Sequence, residues 1–368
     1  MAETMQIPFV DLARQFRSLE PELTRAFVDV GRSGVYIMGE RLESFEQRIA
    51  AYCGVEHVVG VADGSAALFL ILKAAGIGPG DEVVTVANSF IATAWTIANT
   101  GALPVFVDSG ADMNIDPNKI EAALTPRTRA IVPVHLTGRP ADMDAINDIA
   151  QRRGLFVMED AAQAVGARYR SRRVGSLGNA AGFSLHPLKN LGVYGDGGFI
   201  ATDDGALAST LRKLRNHGLR NRDECEVWGY NSRLDPLQAA FAEIKLDRLD
   251  AWNARCREIA AAYRAGLSNY AQVPEDKPWE EAVYHNFVIR TDRRDALMEH
   301  LGQHGVDSRI HYPIPLHLQE AAKDLGYKEG DFPNVDSDAR RIISLPIYPE
   351  LTDQEVAHVV HAVRSFFA

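Results

Sequence analysis

Between residues 57 and 202 the chain alternates short apolar runs of strand length with segments of helical period, and those runs are apolar at consecutive positions. Ile131-Val132-Pro133-Val134 and Leu155-Phe156-Val157-Met158 show the pattern. A strand with one wet face alternates apolar and polar side chains, whereas a strand apolar at every position must be covered on both faces. Gly and Pro turns separate the runs. The pattern predicts a three-layer α/β domain whose mostly parallel sheet lies between helices. Roughly seven strands are expected, at 57–62, 82–87, 104–108, 129–135, 155–160, 181–186 and 198–202.

Beyond these strands come two helices and then a change of texture. A helix is expected over 236–249, with Pro236 inside its first turn, continued by a long amphipathic helix over 252–270. There follow a strand at 285–290, a helix at 295–304, a second strand at 307–312 and a closing helix at 352–367. With 368 residues the chain is long for one core, so the expected division is a large domain over 1–245, including the N-terminal segment, and a small C-terminal α+β domain over 246–368. Neither an internal repeat nor a low-complexity linker is present.

Several function classes fall away on composition. Lys and Arg number 39 against 49 Asp and Glu, a formal net charge of −10, which speaks against a nucleic-acid partner. Cys53, Cys225 and Cys256 form neither a CxxC pair nor part of a metal-spaced His cluster, so no metal site or disulfide framework is expected and the cytoplasm is the natural compartment. No basic-then-apolar leader opens the sequence, and no apolar run approaches about 18 residues, so no membrane partner is expected. Neither GxGxxG after the first strand nor GxxxxGK[ST] occurs, which disfavours a nicotinamide oxidoreductase and a P-loop enzyme.

Three segments carry chemistry. Phe183-Ser184-Leu185-His186-Pro187-Leu188-Lys189-Asn190 continues into a run with four glycines. It places Lys189 in a loop after a buried strand, where lost hydration lowers an amine's pKa and makes it a nucleophile for a carbonyl. An ordinary surface lysine is the plain alternative. The strand ending in Glu159-Asp160-Ala161-Ala162-Gln163 puts Asp160 where parallel sheets bind ligands, unless it is only a helix N-cap. Together Lys189 and Asp160 suit the aldehyde and the ring nitrogen of pyridoxal phosphate (PLP). The third segment, Asp63-Gly64-Ser65, opens an apolar helix and offers backbone N–H groups to a phosphate; a Ser65 N-cap explains it nearly as well.

With Lys189, Asp160 and Gly64-Ser65 in this arrangement, the chain resembles the DegT/StrS-type sugar aminotransferases, PLP enzymes of fold type I, aspartate aminotransferase-like. Matching stretches span nearly the whole chain and include Phe9-Val10-Asp11-Leu12, Ser89-Phe90-Ile91-Ala92-Thr93-Ala94, Pro104-Val105-Phe106-Val107-Asp108, Val134-His135-Leu136-Thr137-Gly138, Gly229-Tyr230-Asn231-Ser232-Arg233-Leu234-Asp235 and His311-Tyr312-Pro313.

The resemblance implies a Schiff-base and proton-transfer role for Lys189, a pyridine-nitrogen carboxylate at Asp160 and an amide near the ring hydroxyl at Gln163. It also implies an aromatic stacked on the ring at Phe90, otherwise a core Phe, and phosphate contacts from Gly64, Ser65 and Ser184. Asn231 matches the residue that reaches the phosphate from a neighbouring subunit, and Arg233 a substrate or amino-donor contact across the same interface, which implies a homodimer with composite sites. His311, Tyr312 and His317 resemble sugar-site positions, while His135 suits a core histidine equally well. Arg168, Arg170, Arg172 and Arg173, with Arg220 and Arg222, suit either a nucleotide diphosphate or a solvated face.

The implied activity is PLP-dependent transamination of a nucleotide-linked keto-deoxysugar with glutamate, returned as 2-oxoglutarate, for O-antigen lipopolysaccharide, another surface glycan or a secondary metabolite. One rival is a non-catalytic regulator or scaffold on the same fold. Another is a PLP-dependent sugar dehydratase, in which histidine replaces the lysine.

Overall fold

The computed structural model describes residues 5–368. Met1 to Thr4, which begin the segment read above for a leader, lie outside the described residues. The strands in chain order are β1 (His57–Val61), β2 (Glu82–Val86), β3 (Leu103–Val107), β4 (Thr128–Val132) and β5 (Phe156–Asp160). The short pair β6 (Arg168–Tyr169) and β7 (Arg172–Arg173) precedes β8 (Ala180–Ser184) and β9 (Gly198–Thr202). Seven of these form one sheet in the order β1-β9-β8-β5-β4-β2-β3, in which β9 runs antiparallel to both neighbours and the other pairings are parallel. The expected mostly parallel, seven-stranded α/β architecture is present.

Consecutive apolar residues arise because both faces of the sheet are covered. Val59, Val61, Val83, Val132, Met158 and Ile200 pack with α3 (Gly64–Ala74), α4 (Ile91–Thr100) and α7 (Gly205–Leu214). Their chain neighbours Val58, Val84, Ile131, Val157 and Phe199 turn to the opposite face. There they meet α2 (Glu40–Cys53), α5 (Pro117–Ala123), α6 (Met143–Arg153) and α8 (Pro236–Leu267). Because β1, β2, β4, β5 and β8 run the same way, their carboxyl ends gather on one edge.

The regions expected as two helices, 236–249 and 252–270, are one 32-residue helix, α8. Its first half buries Ala239, Ala242, Leu246 and Leu249 against the large sheet. Its second half buries Cys256, Ile259, Tyr263 and Leu267 with Phe287, Ile343 and Val359 in a separate core. That core holds the antiparallel pair β11 (Phe287–Arg290) and β12 (Ile342–Leu345), together with α9 (Arg294–Gln303) and α11 (Asp353–Phe367). β10 (Glu280–Glu281) joins β6 and β7 in a small ribbon, and α10 (Pro333–Arg341) runs directly into β12.

The strand expected at 307–312 is not formed; only an isolated bridge joins Arg309 to Ser344. Pro313 and Pro315 follow it and cannot donate to a ladder, whereas Ile342–Leu345 is buried at every position and takes the place beside β11. At the other end, α1 (Leu12–Ser33) is capped by Asp11 and packs on α8. Arg14 on α1 binds Glu355 of α11, so the N-terminal segment is tied to the C-terminal elements.

Candidate active site

A cavity of about 520 Å³ opens at the gathered carboxyl ends of the strands, closed from the far side by the N-terminal segment and the loops around residues 284, 311 and 348. Lys189, Asp160, Gln163, Gly64, Ser65, Phe90, Ser184, His311 and Tyr312 all line it. These residues come from strand ends, a helix start and loops spread from Gly64 to Tyr312, most of which the parallel sheet delivers to one edge.

Asp160 ends β5 and is 5% exposed. Thr93 donates its hydroxyl to Asp160 Oδ2 at 2.7 Å and is itself 2.7 Å from the Ser89 hydroxyl. The other oxygen, Oδ1, has a longer contact of 3.3 Å with the Ala162 N–H. Asp160 is therefore not simply a helix cap. Burial pushes its carboxyl above the ordinary value, against the opposing pull of Thr93, Ala162 and the Lys189 charge. Lys189 is half-buried. Burial brings its amine down to about 8, with the Asp160 charge working in the other direction.

Gln163 is held at both ends of its amide. The Thr137 N–H donates to its Oε1 at 2.6 Å, and its Nε2 donates to the Tyr312 hydroxyl at 3.2 Å. Thr137 sits at φ 60°, a left-handed conformation that is uncommon for a β-branched residue. Tyr312 also lies 5.8 Å, centroid to centroid, from Phe90. Phe90 is 53% exposed, so it is not a core residue.

The start of α3 is capped by Asp63, whose Oδ1 accepts from the Ala66 N–H at 2.8 Å. Ser65 is not the cap, and its hydroxyl is left for the cavity it lines. A side chain at Gly64 would place Cβ 2.7 Å from Ser184 Cβ, so only glycine lets these two segments close together.

Some candidates lie elsewhere. His317 is 2% exposed, 3.2 Å from Asp336 and stacked edge-on against Phe332, away from the cavity lining. Asn231 is exposed and Arg233 donates to Asn216 at 3.1 Å; neither lines the cavity of its own chain. His135 is a satisfied core residue: its Nδ1 accepts from the Ala141 N–H at 3.0 Å and its Nε2 lies 2.9 Å from Glu159. The arginine-rich stretch forms structural contacts, Arg170 with Asp144 at 2.7 Å and Arg173 with Asp250 at 3.0 Å, and Arg220 pairs with Glu224. None of these arginines lines the cavity.

Sequence reasoning did not single out His186 and His285, which also line the cavity. Burial and the nearby Lys189 charge push both rings below the ordinary histidine value, and bring His311 down to about 4. All three imidazoles line the same cavity as the amine, and burial disfavours the charged form of each. His186 stands two residues past the buried strand β8, which is the signal that marks it, whereas His285 lies ahead of β11 and carries no such signal.

The sequence profile of the DegT/DnrJ/EryC1/StrS aminotransferase family matches residues 17–364. The chain belongs to this family. Among relatives, it is 46% identical over 368 residues to the dTDP-3-amino-3,4,6-trideoxy-alpha-D-glucose transaminase of Streptomyces venezuelae, covering 99% of this chain and 97% of the relative. It is 44% identical over 362 residues to the dTDP-3-amino-3,6-dideoxy-alpha-D-galactopyranose transaminase of Aneurinibacillus thermoaerophilus, covering 98% and 99%. A protein of Geobacillus stearothermophilus named as a pleiotropic regulatory protein is 45% identical, with 99% of each chain covered. The crystal structure of S. venezuelae DesV with a ketimine intermediate superposes with a TM-score of 0.97 at 46% identity over 99% of each chain. NtdA of Bacillus subtilis with its bound cofactor PMP, the amine form of PLP, gives 0.93 at 31% identity, covering 98% of this chain and 85% of that one. Family membership and these structures imply pyridoxal phosphate as the cofactor.

Proposed function

We propose that this chain is a PLP-dependent aminotransferase that converts a nucleotide-linked keto-deoxysugar to an amino sugar with glutamate as donor. The observation that carries the reading is the pairing of the Lys189 amine with the Asp160 carboxylate across one cavity. The residues fit the cofactor. Asp160 keeps one oxygen without a short hydrogen bond, Phe90 is more than half exposed, and the absence of a side chain at Gly64 brings Ser184 up to the start of α3, where both line the cavity with Ser65 and suit a phosphate.

When bound, PLP supplies an aldehyde for condensation with an amine and a pyridinium that takes up the electron pair left beside the nitrogen. Asp160 would hold the proton on the ring nitrogen, and Gln163, its amide oriented by the Thr137 N–H, would contact the ring hydroxyl. Lys189, with an amine near pH 8 that is neutral in a useful fraction of molecules, takes a proton from one carbon and returns it to another. His311 and Tyr312 are the sugar-side contacts; His317 is given no such role. Both transaminases named above carry the new nitrogen at sugar carbon 3, which supports the same position here.

Asn231 and Arg233, exposed or half-exposed and outside their own cavity, belong in this reading to the site of a second subunit, and the unit is a homodimer. A domain division near residue 245 accords with the two cores on which the halves of α8 pack. The product serves a surface glycan such as an O-antigen or a secondary-metabolite sugar, made in the cytoplasm. The regulatory name of one relative favours a second reading, a PLP-fold regulator without turnover.

A glutamate half-reaction separates the two. Wild type converts its cofactor from the aldehyde to the amine form, and borohydride reduction beforehand leaves a pyridoxyl group on the Lys189 peptide. Lys189→Ala loses turnover by at least about 10⁴-fold, the scale for removing a nucleophile that is also the proton carrier. A wild-type protein that fails to convert the aldehyde overturns the aminotransferase reading.

A further inference from the structure

The loop after Lys189 is held from behind by one face of α8. Gln238, Lys245 and Asn253 stand about two helical turns apart each, and so share a side of the helix. Gln238 accepts from the Tyr194 N–H at 3.0 Å and donates to the Tyr194 carbonyl at 2.9 Å. Asn253 accepts from Asn190 Nδ2 at 3.2 Å, and both amides donate to the Val165 carbonyl, at 3.2 and 2.6 Å. Between them Lys245 donates to the Gly192 carbonyl at 2.6 Å, with its ammonium 4.4 Å from the Tyr194 ring centroid.

Lys245 is 2% exposed, and no salt-bridge partner of it is found among the described residues. A buried cation held by one carbonyl and an aromatic face is unfavourable for folding, and an apolar residue of the same length would suit the site better. Burial alone brings this amine down to about 8, with Glu350 attracting the charge from the cavity wall. Stability therefore gives no reason for a lysine there.

Geometry does. Gly192 closes a turn so tight that an added Cβ would lie 2.4 Å from the Pro187 carbonyl oxygen and 2.8 Å from that of His186. Lys189 sits inside this turn, its own N–H donating to the His186 carbonyl at 2.8 Å. The orientation of the Gly192 peptide thus sets where the Lys189 side chain starts. We propose that Lys245 is a positioning residue for Lys189: its ammonium, fixed on the Gly192 carbonyl, holds the turn over residues 186–192 so that the Lys189 amine stays in the cavity opposite Asp160. This rests on the reading of Lys189 as the proton-moving amine of an aminotransferase.

Lys245→Met tests it, because methionine keeps the length and loses the charge and the donor. A structural lysine would leave chemistry alone and lower stability. A positioning lysine gives the reverse: an unchanged or higher Tm, a kcat lower by about tenfold or more, and KM values within about twofold. A second readout needs neither cofactor nor sugar. With cofactor stripped by hydroxylamine, trinitrobenzenesulfonate labelling of the Lys189 peptide, followed by mass spectrometry across pH, should have its midpoint near 8 in wild type. In K245M the midpoint should rise towards the ordinary lysine value as the turn loosens and water reaches the amine. Gln238→Leu, which removes the neighbouring anchor, should shift it the same way by less.

A K245M protein with wild-type kcat and a wild-type midpoint overturns the proposal, whatever its Tm. Should K245M fail to fold, a wild-type midpoint in Q238L overturns it. A wild-type protein that labels as expected but never transaminates counts against the aminotransferase reading, and the labelling comparison still decides the role of Lys245.

Discussion

An amine at the end of a buried strand is easier to deprotonate than one in water, and Lys189 shows the cost as well as the use of that fact. In the cofactor-free chain at pH 7 it is charged in a site that disfavours charge. Lys189→Met should therefore raise the Tm of the stripped protein at pH 7. The gain should shrink as pH rises from about 8 towards the ordinary lysine value, because in that window the folded amine has shed a proton that the unfolded one still binds, so wild type recovers stability. A pH-independent difference in thermal melts would show that the amine's charge is not the cause. At this scale the residues legible from their chemistry and place at a strand end were Lys189 and Asp160, while Gln163 was named only through the family resemblance. Lys245 carried no such signal, because only folding shows that this lysine of α8 is buried against the Gly192 carbonyl. His285 escaped notice because only folding brings it beside Lys189.

Elements report how the pieces are joined. The closing helix α11 begins with a capping box in which Thr352 and Glu355 serve each other's backbone N–H, at 3.2 and 2.8 Å. Arg14 adds two hydrogen bonds to the same carboxylate at 2.9 and 2.8 Å, and this contact first, with the cap, holds the Glu355 carboxyl down to about 2. Because the folded value is depressed, the stabilisation is complete above the ordinary carboxylate range and disappears as pH falls through about 2. Glu355→Gln should cost about 2 kcal/mol at pH 7 in urea unfolding. The gap to wild type should narrow as pH falls from about 4, and a constant gap would refute the assignment. In the sheet, Phe183 and Phe199 stack at 4.4 Å and 12° across β8 and β9. Phe183→Ala should cost about 3–5 kcal/mol by the same measurement. Strands covered on both faces were legible within a few residues because their apolar runs are continuous. β12 was not, because α10 enters it without a turn residue to mark the change.

At the scale of the whole molecule the exposed apolar residues matter. Trp228 is 93% exposed and Tyr36 59%, near or on segments that sit outside the chain's own cavity, as Asn231 does. If each site takes Lys189 from one subunit and Asn231 from its partner, Lys189→Ala and Asn231→Ala homodimers should both be impaired. Unfolded together and refolded as an equal mixture, they should recover about a quarter of the wild-type activity, since half the dimers are hybrids with one intact site. No recovery in a mixture shown to contain hybrids would place Asn231 in its own subunit's chemistry. The arginine stretch at 168–173 illustrates the limit of reading charge along a chain: its side chains are engaged by Asp144, Asp250 and backbone carbonyls, partners invisible until β6 and β7 fold. What the sequence determined by itself was local and periodic: strands buried on both faces, the turn after β8 that carries a lysine, the carboxylate ending β5. The tertiary structure alone decided which of the many polar residues share a cavity, that His317 is not among them, and that α8 braces the Lys189 loop. Those are matters of distance between segments far apart in the chain, and local propensity carries no information about them.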